Sequence, residues 1–271
     1  MALPTAAPPV DRRIAWCLLA ADGTLLESED AARPVYAAST IKLHVLAAVL
    51  RAADAGGLDL TRTVPATRTF TGITGAAFTL GGDHLDPTHP ANGHPVGLDE
   101  LAIRMIDRSS NEATDHLLEI VGLEAVAQEI DRLGLTATRV DRLIGDAAAI
   151  EQGLTNESSP ADLVSTLRSL MQGEGLSLRS RDLARHALRA QRIPIIATAL
   201  RSGVPWGSKS GWVDGYRHDV AAIGNPEDGD ERYLAVMTSG MELTAADEQI
   251  RALTRRLLPR WAAAAGVRPG L

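Results

Sequence analysis

Residues 14–20 form an apolar run, Ile14-Ala15-Trp16-Cys17-Leu18-Leu19-Ala20, which breaks at Asp22-Gly23 and resumes as Thr24-Leu25-Leu26-Glu27. That pattern predicts two strands joined by a tight turn. After Pro34-Val35-Tyr36-Ala37-Ala38 comes Ile41-Lys42-Leu43-His44-Val45-Leu46-Ala47-Ala48-Val49-Leu50, which leaves no polar stripe and predicts a helix buried on nearly all sides, ending at Gly56-Gly57. Residues 61–97 are rich in Gly, Pro, Thr and His and predict loop. Apolar spacing near the helical period predicts helices over 98–106, 112–120 and 123–133, the last closing at Gly134. Residues 136–159 show weak periodicity and predict a second long loop. Pro160 stands just inside the start of a helix over 161–171, and further helices are predicted at 181–188 and 193–200. Strands return at 206–211, 220–224 and 233–238, separated by turn signals that include Asn225-Pro226 and Asp228-Gly229-Asp230, and an amphipathic helix over 245–265 closes the chain.

Strands at both ends with helices between them predict an α+β plan: one antiparallel sheet built from both termini, interrupted by an all-helical insertion. The expected division is a discontinuous sheet domain over 1–55 and 196–271 and a helical domain over 56–195, with the active site at their interface.

Composition narrows the possible functions. The chain has 271 residues, long enough for a large core, with 45% hydrophobic and 23% charged positions. Lys and Arg number 27 against 34 Asp and Glu, a net charge of −7, which argues against nucleic-acid or anionic-membrane partners. Cys17 is the single cysteine, so no internal disulfide forms, and its apolar neighbours predict a buried packing thiol. Residues 1–10 lack the basic start and apolar core of a secretory signal, and no later run is long enough to span a membrane, so the expected location is the cytoplasm.

The first candidate chemistry lies at Ser39-Thr40-Ile41-Lys42. A Ser and a Lys three positions apart at the start of a helix share one face. A hydroxyl becomes a useful nucleophile near neutral pH only when a neighbour takes its proton, and a lysine can do this when burial or another cation lowers its pKa. Taken alone, Ser39 reads as a helix cap and Lys42 as a snorkelling side chain, and the other motifs along the chain change that balance. The loop segment containing His84, Asp86, His89 and His94 offers metal-ligand types, but the spacing fits no helical or hairpin ligand pattern, so a polar rim beside a cleft is expected and no metal.

Two further signatures follow in order: Ser109-Ser110-Asn111, then Lys209-Ser210-Gly211 on a late strand. Together with Ser39-x-x-Lys42 they resemble the motif set of the penicillin-recognising serine acyl enzymes, most closely the class A β-lactamases. The flanking stretches 105–114, 133–142 and 216–221 resemble the same family, over roughly residues 14 to 260. The resemblance implies the β-lactamase/transpeptidase fold and gives each residue a role. Ser39 becomes the acylated nucleophile, Lys42 its proton partner and Ser109 the relay to the leaving group. Asn111 holds the substrate amide, Lys209 and Ser210 receive a substrate carboxylate, and Gly211 leaves room for an extended ligand. The backbone N–H groups of Ser39 and of Trp212, or of a close neighbour on that strand, form the oxyanion hole. No cofactor is implied.

The departures from the family shape the expected function. Ser110 replaces an Asp, and Ser210 replaces a Thr while keeping the hydroxyl. In the family, the loop after the Asp141-Arg142 pair carries a Glu two positions on and an Asn four further, which together hold the hydrolytic water. Here those positions are Ile144 and Ala148. Arg142 and Glu157 are expected to close the loop as an ion pair, and Asp146, Glu151 and His44 are the candidate substitutes for the missing base. The resemblance therefore implies a serine hydrolase that forms an acyl-enzyme on an anionic amide or ester, with weak or no β-lactam turnover. The alternatives are an acyltransferase or transpeptidase-type enzyme, and a non-catalytic β-lactam- or peptide-binding module. Oligomeric state is not legible in the sequence.

Overall fold

A computed structural model describes residues 11–82 and 84–264. The expectation of no leader at residues 1–10, and the last residue of the expected C-terminal helix, lie outside them. The first hairpin joins β1 (Arg13–Ala20) to β2 (Leu25–Glu29), with Gly23 at φ +90°, a conformation open to glycine without steric cost. Cys17 is buried on β1, and burial pushes its thiol up to about 11. After the two-residue β3 (Val35–Tyr36), a 3-10 turn (Ala38–Ile41) runs directly into α1 (Lys42–Asp54). Every residue of α1 from Lys42 to Leu50 is buried, as the unbroken apolar run predicts.

The middle of the chain is not purely helix and loop. Residues 61–97 contain β4 (Thr63–Pro65), β5 (Thr69–Thr71), β6 (Ala77–Thr79) and β7 (Pro95–Gly97), which pair as β4 with β7 and β5 with β6. Three helices follow: α2 (Leu98–Asp107), α3 (Asn111–Val121) and α4 (Leu123–Arg132). The second predicted loop holds β8 (Arg139–Val140), the short α5 (Ala147–Glu151) and β9 (Asn156–Ser158), with β9 pairing to both β8 and β3. The antiparallel register sets Arg139 opposite Glu157, so the loop is closed by an Arg139–Glu157 ion pair at 3.1 Å, not by Arg142. Arg142 instead turns inward, donating to Leu143 O and to the Tyr36 hydroxyl.

Then come α6 (Pro160–Gln172), with Pro160 in its first turn, and α7 (Leu178–Arg189). The expected helix at 193–200 is only a 3-10 turn, Ile196–Ala199. The strands β10 (Trp206–Val213), β11 (Tyr216–Ile223) and β12 (Arg232–Ser239) precede α8 (Leu243–Leu257). The main sheet runs β10-β11-β12-β1-β2, antiparallel throughout and drawn from both ends of the chain. Residues of α1–α4 and α6–α7 share one apolar cluster with the sheet, while Ile195, Ile196, Ile250 and Leu258 pack with Leu18, Ile223 and Leu234 in a second. β10 is an edge strand of the sheet, and it packs on the Ser39 turn. Among the described residues no helix is long and apolar enough to cross a membrane.

Candidate active site

A 3-10 turn has about 3.0 residues per turn, so residues three apart eclipse more closely than on an α-helix. Ser39 lies within that turn and Lys42 opens α1, so the two stand three residues apart at the α1 N-terminus. From the other side, β10 reaches the turn at Gly211. A Cβ built there would stand 2.8 Å from the amide nitrogens of both Ser39 and Thr40, so only glycine lets the strand come this close.

The second motif arrives on the junction between α2 and α3. Ser109 holds φ at +60°, a strained value for a residue with a side chain, of the kind kept where surrounding contacts fix it. Ser110 caps α3 by accepting from the Ala113 N–H, and its hydroxyl donates to the buried Glu112. The serine therefore keeps a capping function where the family has Asp.

These elements converge on one hydrogen-bonded chain. Lys42 Nζ donates to Ser109 O at 2.6 Å, to Asn111 Oδ1 at 2.8 Å and to Ser109 Oγ at 3.2 Å. Lys209 Nζ donates to the same Ser109 Oγ at 3.0 Å and to Ser210 O at 2.6 Å. Both lysines are fully buried. Burial, reinforced by the positive charge of Lys209, pushes Lys42 well below the ordinary ammonium range, and burial brings Lys209 down to about 7. The Ser109 hydroxyl thus bridges two lysine amino groups, each of which gives up its proton more readily than a lysine in water.

Ser39, Asn111, Ile144, Trp212 and His84 share the lining of a cavity of about 270 Å³. His84 and Trp212 meet across it with ring centroids 4.4 Å apart, and His84 O accepts from Asn111 Nδ2. Ser210 is buried beneath the rim. Of the loop residues expected to form a polar rim, Asp86 and His89 instead turn inward, Asp86 pairing with Arg104 and His89 packing on His116.

None of the three candidate substitutes for the loop base lines this cavity among the described residues. Asp146 caps α5 through Ala149 N–H and accepts from Ile73 N–H, Glu151 lies exposed at the far end of α5, and His44 is buried between Ser158 and Thr166, held down to about 3 by burial. Asp107 is engaged by Arg108 and Arg192, and Asp219 by the Ile195 and Ile196 N–H groups.

Two features escaped the sequence reading. Asp115, one turn beyond Asn111 on α3, is buried and accepts from the Ile144 N–H at 2.7 Å. Its signal in the sequence was only its helical spacing from Asn111. The other was countable: of the 27 basic residues 25 are arginine, and Lys42 and Lys209 are the only lysines in the chain.

A family model described as the beta-lactamase enzyme family matches residues 20–261. The chain belongs to this family. Within it, a beta-lactamase of Rhodobacter capsulatus is 33% identical over 151 residues, which take in 53% of this chain and 46% of that protein, so the match spans about half of that curated relative. The crystal structure of a beta-lactamase from Sphaerobacter thermophilus superposes with a TM-score of 0.76 at 26% identity, covering 92% of this chain and 90% of that one. PBP-A shares the fold, with a TM-score of 0.77 at 23% identity, covering 94% and 91% of the two chains. Family membership and these superpositions bear out the α+β fold and the family resemblance.

Proposed function

We propose that this chain is a serine hydrolase that forms an acyl-enzyme through Ser39 on an anionic amide or ester, and that it hydrolyses β-lactams slowly or not at all. Neutral Lys42 takes the proton as Ser39 Oγ attacks the carbonyl carbon. The developing oxyanion is received by the Ser39 and Trp212 N–H groups, and collapse breaks the bond to the leaving nitrogen or oxygen. That atom takes a proton from Ser109 Oγ, which is resupplied from the lysines bonded to it. Lys209 and Ser210 attract the substrate carboxylate, and Asn111 holds its amide.

The observation that carries the reading is the Lys42–Ser109–Lys209 chain set beside an Ile144 wall. It equips the site for acylation, while the residue placed to activate water in the second step is apolar. A leucine-to-glutamate variant of PBP-A has been solved as an acyl-enzyme complex with penicillin G, so this fold can carry a penicillin acyl group in that protein. The same apolar wall supports a second reading, in which an amine or alcohol rather than water accepts the acyl group.

Product analysis separates the two. With an ester substrate and a rising concentration of an added amine, hydrolysis keeps the product ratio constant, whereas transfer increases the aminolysis product. Loss of all ester turnover and of all adduct in Ser39→Ala is expected under both. Unchanged ligand binding and cellular effect in that variant would replace both with the binding-module reading.

A further inference from the structure

Asp115 is a buried titratable group that the acylation steps above do not use. Its Oδ1 is occupied by the Ile144 N–H, and its Oδ2 is buried without a hydrogen-bond partner among the described residues. An orphaned buried carboxylate oxygen is costly, and proteins retain few of them without a reason. Asp115 does not line the Ser39 cavity among the described residues, so it is not placed to activate water there. Its position on α3 suggests another use. Asn111 and Asp115 are four residues apart and stack on one helix face, about 6 Å between their Cβ atoms. Asn111 Oδ1 in turn holds Lys42 Nζ at 2.8 Å. The carboxylate therefore sits one turn deeper than a direct partner of the proposed base.

We propose that Asp115 is a positioning residue for acylation: its Oδ1 pins the loop at Ile144, and a negative charge on its free Oδ2 favours the ammonium form of Lys42 against the burial and the Lys209 charge that oppose it. This rests on the acyl-enzyme reading only for its catalytic consequence. The groups acting on Asp115 are Lys42 from α1, Arg142 from the loop and Glu119 from its own helix; those acting on Lys42 also include Lys209 on β10 and Glu112 on α3. Burial raises the Asp115 carboxyl well above its usual range and lowers Lys42, so neither group favours its charge alone, yet the ionised carboxylate favours the ammonium. When the carboxyl takes up the proton, Lys42 is left as the amine that can accept from Ser39.

Asp115→Asn tests this because the amide Oδ1 still accepts from Ile144 N–H while the charge is gone. With no carboxylate to favour the ammonium, Lys42 should lose its proton at lower pH. Lysine-selective 15N labelling yields only two Nζ signals, and Lys209→Arg leaves that of Lys42. The expected result is a fall in the Lys42 midpoint of about one pH unit or more, the usual effect of a nearby charge. The acid limb of acylation by a fluorescent penicillin should move by the same amount. Asp115→Ser, too short to reach Ile144, should shift the midpoint equally. An unchanged Lys42 midpoint in both folded variants would overturn the proposal, leaving Asp115 a loop contact alone, even if adduct formation proceeds. A shifted midpoint in a chain that forms no adduct would leave the coupling intact and contradict the acyl-enzyme reading instead.

Discussion

Replacing Gly211 by alanine should slow acylation by about 10- to 100-fold without unfolding the protein. The added Cβ would fall 2.8 Å from the Ser39 and Thr40 amide nitrogens and 3.3 Å from Ala37 O. Comfortable contact begins near about 3.5 Å, so strand and turn must separate by about 0.7 Å. All three atoms belong to backbone, so no rotamer relieves the clash. The displacement moves the nucleophile against Lys42 and the N–H groups that would face the oxyanion, and a misplacement of about 1 Å in an active site costs about 100-fold. The expected barrier increase is therefore about 1.4–2.7 kcal/mol. Overpacking should also cost about 1–3 kcal/mol of stability. The assay is the rate of Ser39 adduct growth by intact-protein mass, with a denaturant midpoint for each variant to establish folding. A folded Gly211→Ala protein acylated at the wild-type rate would refute the close approach of β10 to the Ser39 turn.

Ile144→Glu should shorten the lifetime of a penicillin adduct by about 100-fold or more, the usual contribution of a placed general base, and an unchanged lifetime would mean the side chain at 144 does not reach the acyl group. Lys209 titrates near 7, and its ammonium, the form that attracts a carboxylate, is present below that pH and lost above it. Apparent affinity for a carboxylate-bearing ester should therefore fall between pH 6 and pH 9 while that for its neutral methyl ester stays level, and parallel profiles would count against Lys209 as the carboxylate site. Asn156→Ala should cost about 2–3 kcal/mol in urea denaturation, because the buried amide bonds the Asp141 and Arg142 N–H groups and Arg142 O. Arg139→Ala removes a half-exposed ion pair and should cost less than about 1 kcal/mol in the same experiment.

The sequence exposed those parts of the fold whose physics is local. The Asp22-Gly23 turn, the unbroken apolar run of α1, the proline at the head of α6 and the three late strands each carry a signal within about ten residues, and each forms where expected. The strands β3 to β9 were missed because two or three residues are too few to display alternation, and for β3 also because its pairing is remote: Val35 meets Ser158. The same remoteness misassigned the loop's ion pair, since which arginine faces Glu157 depends on the β8–β9 register and not on distance along the chain. At the site, Ser39, Lys42, Ser109 and Lys209 were legible as ordered motifs, yet nothing local showed that one serine hydroxyl would bridge both lysines. Asp115 was hidden for a related reason. A carboxylate on a helix reads as a solvated face until the Ile144 loop folds over it.

The proposed chemistry is acylation of Ser39 without efficient deacylation. Intact-protein mass after mixing with a fluorescent penicillin, followed from minutes to hours beside Ser39→Ala, tests it directly. The expected result is an adduct that accumulates, persists and vanishes in the variant. Rapid consumption of the penicillin with no adduct would contradict it, because some other group would then be activating water in place of the residue at 144.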